Sequence, residues 1–237
     1  MPDAKLYCGT SGFAYNSWKP DFYPQNLAAA ERLAYYATRL NAVEVNYPAR
    51  LTSASRLEGW IAATPSGFLF LPKARIKLEG TEEFTKAFLE SLEPLQTGRR
   101  LGPVLFQLDS NGKADHNQLR RFLRLLPKDL QFAFEFRNVS WFDESIYKVL
   151  RDANAALCLT ESEDLETPWV LTADFVYMRL RKPEYLQSKL ISVQYRVEQY
   201  HANAYPTFAI FKGGKSAAGA LNAEKLSITQ RMMGAAS

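Results

Sequence analysis

Gln131-Phe132-Ala133-Phe134-Glu135-Phe136-Arg137 alternates strictly between large apolar residues and small or charged ones. A repeat of two is the signature of a β-strand, whose successive side chains point to opposite faces. Phe132, Phe134 and Phe136 share one face, and Ala133, Glu135 and Arg137 share the other. The phenylalanine face has to be covered by another layer of the fold. The opposite face ends in an acid and a base, and charges held inside a fold mark either a site or a network that fixes the structure.

Seven further short apolar segments flank this one: Leu6–Thr10, Ala42–Asn46, Phe68–Lys73, Val104–Leu108, Ala156–Thr160, Phe175–Leu180 and Thr207–Phe211. Segments with helical spacing lie between them. Ala28–Leu40 puts Leu33, Tyr36, Ala37 and Leu40 on one stripe, and Phe84–Leu95 repeats Phe84, Phe88, Leu92 and Leu95. His116–Leu126, Asp143–Asp152 (opening on an N-cap aspartate), Ser188–Tyr200 and Ala217–Ile228 continue the alternation. Eight strands alternating with helices predict an α/β fold, a single-domain TIM-type (β/α)8 barrel spanning residues 1–237. Such barrels typically run to about 250 residues. An open doubly wound sheet is the competing arrangement, but Gly9-Thr10-Ser11-Gly12 lacks the glycine spacing of a dinucleotide fingerprint.

The chain has 237 residues, 47% of them hydrophobic, and a formal net charge of +4. No apolar run is long enough to span a membrane. The N-terminus runs almost directly into a strand and lacks the apolar segment of a secretory signal. Cys8 and Cys158 fall within strands and read as buried thiols, so a reducing, cytoplasmic setting is expected. The mild positive charge permits an anionic partner without requiring nucleic acid.

Alternation assigns the inward face of each barrel strand, and catalytic groups of such barrels gather at the strands' C-terminal ends. Glu44 and Asn46 face inward from the second segment, Lys73 from the third and Gln107 from the fourth. The fifth contributes Glu135 and Arg137, the sixth Thr160 and the seventh Tyr177 and Arg179. Lys73, Arg137 and Arg179 outnumber the two carboxylates, which favours an anionic ligand. A buried ion network that merely fills the barrel top is the structural alternative.

After the last strand come Lys212-Gly213-Gly214-Lys215-Ser216 and then a helix. Barrels of this type often hold phosphate there, so these residues are expected to bind substrate, with a plain turn capped by Ser216 as the alternative. Trp18 and Trp141 follow the first and fifth strands and are candidate stacking platforms. Glu44 and Glu135 form the candidate acid–base pair, with Glu135 kept ionised by Arg137, and Lys73 could form a Schiff base if desolvated. His116 and His201 lie outside the inward set, so neither a metal site nor a cofactor is expected.

Several of these stretches resemble the domain-of-unknown-function-72 (DUF72), or YecE-like, family. They are Gly9-Thr10-Ser11-Gly12-Phe13 with Tyr15, Trp18 and Phe22-Tyr23-Pro24; Val43-Glu44-Val45-Asn46; Thr64-Pro65-Ser66-Gly67-Phe68; Leu101–Leu108; and Phe134-Glu135-Phe136-Arg137 with Ser140-Trp141-Phe142. The resemblance implies a TIM-type barrel and supplies no reaction. The chain departs from the family pattern at Tyr47–Arg50, at Ile76–Glu79, which has no histidine, at Arg181-Lys182, where His-Gly is usual, and at Lys212-Gly213. Those changes add positive charge and imply an altered substrate or a degenerate member. The expectation is a metal-independent hydrolase or lyase-like protein acting on a small anionic molecule, such as a phosphorylated sugar or nucleotide. A nucleic-acid-binding module and a non-catalytic interaction protein are the alternatives.

Overall fold

A computed structural model describes residues 5–46, 52–163, 165–182 and 185–234, with the backbone alone at His201 and 229–234. Nine parallel strands form one sheet in the order β6-β5-β4-β3-β2-β1-β9-β8-β7. They are β1 Leu6–Ser11, β2 Ala42–Asn46, β3 Leu69–Ile76, β4 Val104–Leu108, β5 Phe132–Glu135, β6 Ala156–Leu157, β7 Leu159–Glu161, β8 Val176–Leu180 and β9 Thr207–Phe211. The pair β6 and β7 is the expected sixth strand, interrupted at Cys158. β6 pairs with β5, β7 pairs with β8, and the Cys158 N–H donates to Phe134 O at 2.8 Å between them. The sheet is thereby a nearly closed barrel of the TIM type.

The helices are α1 Arg32–Arg39, α2 Ala54–Ala62, α3 Glu82–Glu90, α4 Glu93–Thr97, α5 His116–Leu123, α6 Glu144–Asp152, α7 Gln187–Ala202 and α8 Ala218–Gly234. Asp115 caps α5 by accepting from the Asn117 and Gln118 N–H groups at 2.9 and 3.0 Å, and Asp143 caps α6 through Ser145 N at 2.9 Å. The helix expected over Phe84–Leu95 is two helices. It breaks at Ser91–Leu92, and Pro94 lies in the first turn of the second helix, where its missing N–H costs nothing.

Strand alternation sorts the core into two layers. Val43, Val45, Phe70, Phe106, Phe132, Phe134, Val176, Met178 and Leu180 pack outward against the helices. Ala42, Leu71, Leu105, Ala133, Cys158, Tyr177, Phe208 and Ile210 fill the barrel. Both cysteines are buried, and neither forms a disulfide. Gly9 is required where β1 meets β2, because a Cβ there would lie 2.0 Å from Ala42 O.

Phe106 anchors the outer layer. It is fully buried and lies within 5.3–6.1 Å, centroid to centroid, of Phe88, Phe122, Phe132 and Phe134. Phe106→Ala should cost about 3–5 kcal/mol and lower Tm by roughly 6–20 °C. Thermal unfolding checks this, and a Tm within about 2 °C of the parent would contradict the placement of this ring.

Candidate functional site

The inward face turns from apolar to charged toward the strands' C-terminal ends. Following the pairing from Glu44 to Leu71, two residues on to Lys73 and across to Leu105, then two more to Gln107 and across to Glu135, puts Glu135 four residues past Glu44 along the sheet. The tilt and stagger of strands in a closed barrel offset that advance and bring both carboxylates to one level. Arg179 joins them. Its Nη2 donates to Glu44 Oε1 at 2.8 Å, and its Nη1 donates to Glu135 Oε2. Glu44, Glu135 and Arg179 are all buried.

Further donors surround this triad. The Tyr177 hydroxyl donates to Glu44 Oε2 at 3.1 Å, and Gln107 Nε2 to Glu135 Oε2 at 2.5 Å. Arg75 Nε donates to Gln107 Oε1 at 3.1 Å. Lys73 Nζ stands 3.8 Å from Glu44 Oε1, and Arg181 Nη1 reaches Glu135 Oε1 at 3.5 Å. Burial alone would push the Glu135 carboxyl up, but the Arg179 and Arg181 guanidiniums and the bonds from Gln107 and Arg179 outweigh it and hold the group below the usual carboxylate range. Burial, reinforced by Arg179 and Arg181, pulls the Lys73 amine down against the opposing pull of Glu44 and Glu135. Burial also pushes the Tyr177 hydroxyl and the Cys158 thiol well up.

Above this network a pocket of about 260 Å³ opens at the rim, lined by Glu135, Thr160, Arg137, Arg181 and Lys212 among others. A second carboxylate, Glu163, also faces it. Taken together, Lys73, Arg75, Arg137, Arg179, Arg181 and Lys212 confront Glu44, Glu135 and Glu163, six cations to three acids. Such an imbalance favours an anion at the mouth.

Several sequence expectations need correction. β5 ends at Glu135, which leaves Arg137 exposed on the rim. Among the described residues the ion-pair partners of Glu135 are Arg179 and Arg181, not Arg137. Asn46 ends β2 at the surface. Trp18 and Trp141 are not stacking platforms. Trp18 is buried against Tyr15, Phe22 and Tyr23 and donates from Nε1 to Gly214 O at 3.1 Å. Trp141 lies flat on Phe136 at 4.6 Å and donates to Gly112 O at 2.9 Å.

The glycine loop is likewise built for packing rather than for presenting amides. Gly213 N–H is committed to Ser11 Oγ at 2.9 Å, and a Cβ at Gly213 would lie 2.3 Å from Ser11 O. Lys212, Gly213, Gly214, Lys215 and Ser216 instead line a separate pocket of about 490 Å³ on the outer side of β8 and β9. The family departure at Tyr47–Arg50 lies outside the described residues.

Four contributors were not in the expected inward set, although Arg181-Lys182 was noted as a departure that adds positive charge. Arg75 continues the phase of Lys73, but β3 runs to Ile76, beyond the expected end. Arg181 continues the phase of Tyr177 and Arg179 one step past β8. Glu161 and Lys182 form a second cluster: Glu161 is buried, and its Oε1 accepts from Lys182 Nζ at 2.9 Å and Lys189 Nζ at 2.5 Å. The legible signal was an acid in the outward phase of an apolar strand. Among the described residues no group of His, Cys, Asp and Glu could hold a metal ion, and no helix is long and apolar enough to cross a membrane.

An α/β barrel of the TIM type with a basic, acid-threaded mouth is the class these features define. A family profile described as "Protein of unknown function DUF72" matches residues 7–235, and the chain belongs to that family. A crystal structure of a DUF72 family protein from Thermotoga maritima MSB8 superposes with a TM-score of 0.84 at 23% identity, covering 96% of this chain and 99% of that one. Another, from Enterococcus faecalis V583, gives a TM-score of 0.76 at 18% identity over 96% and 98%. The UPF0759 protein YunF of Bacillus subtilis (strain 168) is 28% identical over 156 residues, 60% of this chain and 54% of that protein. The chain spans about half the length of this curated relative.

Removing Arg179 would leave two buried carboxylates uncompensated, so Arg179→Met should destabilise by about 3–5 kcal/mol. Because the folded-state pKa of Glu135 is lowered, its contribution is fully present above the unfolded carboxylate value and is lost as pH falls through the folded one. Stability should therefore fall on acidification below about pH 5, and the fall should be shallower in Glu135→Gln. Urea titrations across that range check both statements, and an unchanged slope in Glu135→Gln would remove Glu135 from the network's titration.

Proposed function

We propose that the barrel mouth binds a small anionic molecule, such as a phosphorylated sugar or a nucleotide-like compound, and that Lys73 handles protons at the bound ligand. The observation that carries this reading is the excess of cations at the mouth, six against three carboxylates, which persists after Arg179, Lys73 and Arg181 answer Glu44 and Glu135. Arg137, Arg181 and Lys212 face the rim pocket and supply the anion's counter-charges.

Glu44 and Glu135 were the expected acid–base pair. Their oxygens already accept from Arg179, Tyr177, Gln107 and Arg181, so their role in this reading is to hold Arg179 and set the field at the mouth. Lys73 suits proton transfer better, because burial shifts its amine toward neutrality. Lys73 does not line the rim pocket, so in this reading the ligand extends inward from the anion clamp to that amine, an arrangement that fits hydrolysis or lyase-type bond cleavage. The saturation of both carboxylates favours a second reading, in which the triad is structural and the mouth binds without turnover. A nucleic-acid module loses its basis in stacking, since Trp18 and Trp141 present no free face.

Calorimetric titration with inorganic phosphate and a panel of sugar phosphates tests the site. Binding should weaken with added salt, and Arg181→Ala and Arg137→Ala should each weaken it at least ~10-fold, or about 1.4 kcal/mol. Lys73→Met should weaken anion binding less than either arginine variant and lose any turnover found in the parent. Equal affinities in the parent and both arginine variants would end this proposal.

A further inference from the structure

The rim pocket and the outer pocket share a wall. Arg181 faces the first and Lys182, the next residue, faces the second, while Lys212 lines both. The backbone fixes this arrangement, since Lys212 N–H donates to Leu180 O at 2.9 Å and Arg181 N–H to Glu161 O at 2.8 Å. Lys182 is held from behind by Glu161, and the Tyr185 ring packs edge-on against Phe211 at 5.5 Å. The outer pocket is lined by Lys182, Lys212 and Lys215, and no carboxylate lines it among the described residues. Lys212 and Lys215 are exposed, and neither has an ion-pair partner among the described residues.

We infer that the natural ligand carries two separate anionic groups, one seated in the rim pocket by Arg137 and Arg181, the other in the outer pocket by Lys215 and Lys182, with Lys212 between them. This rests on the anion-binding reading of the mouth and narrows it from anions in general to bis-anionic small molecules, such as bisphosphates or phosphorylated carboxylic acids. Each pocket alone holds a modest charge excess at an open surface, where one anion is only weakly held. A linker makes the second contact intramolecular, so the two weak sites combine into one strong one when the span fits.

The test is calorimetry of the full chain with alkanediol bisphosphates of increasing length and with the matching monophosphates. One length of bisphosphate should bind at least ~30-fold tighter than its monophosphate, about 2 kcal/mol. Lys215→Glu, an exposed substitution, should erase that gain and leave monophosphate affinity within about twofold. Arg181→Ala should weaken both ligands. Monophosphate binding with no gain for any bisphosphate would overturn this inference and leave the anion-binding mouth standing. A gain that survives Lys215→Glu would overturn the placement of the second group. Binding of neither class would remove both proposals.

Discussion

Everything at the mouth depends on a single guanidinium. Arg179 takes one carboxylate from β2 and one from β5, so it ties opposite walls of the barrel across its interior. Each partner alone would be an expensive buried charge. Together with Lys73 and Arg181, and with Tyr177 and Gln107 supplying further donors, they form a compensated unit that only this closure of the sheet can assemble. The planar fork of arginine is what allows two acids to be bridged at once, and a lysine could not replace it.

The network also leaves positive charge over for a ligand. Arg179, with Lys73 and Arg181 beside it, answers the two deep acids, so Arg75, Arg137 and Lys212 add charge that Glu44 and Glu135 do not consume. The apolar floor of Leu71, Leu105, Ala133 and Ile210 keeps the lower barrel dry, so the field of these groups is directed toward the opening.

The barrel was legible because its strands are short and strictly alternating. Ala42–Asn46, Val104–Leu108 and Thr207–Phe211 begin and end where periodicity places them. Phase alone also placed Glu44, Lys73, Gln107, Glu135 and Arg179 on one inner face. α2 was not read: its stripe is a single turn of Leu57, Trp60 and Ile61, of which only Leu57 is fully buried. The pairing of Glu135 with Arg137 failed because period two says which face a residue takes, not where the strand stops. The tryptophans failed for a related reason. Proximity to a strand end does not say whether a ring lies over the mouth or under a loop, and here loop carbonyls fixed both indoles in place.

The break at Cys158 has a mechanical corollary. β5 and β6 are joined over two register pairs and β7 and β8 over three, whereas β1 and β9 share five. A hoop stretches first at its thinnest stave, so transient opening of the cylinder concentrates at this seam. The thiol of Cys158 sits inside that seam, facing the lumen, so an opening there would be what exposes it to solvent.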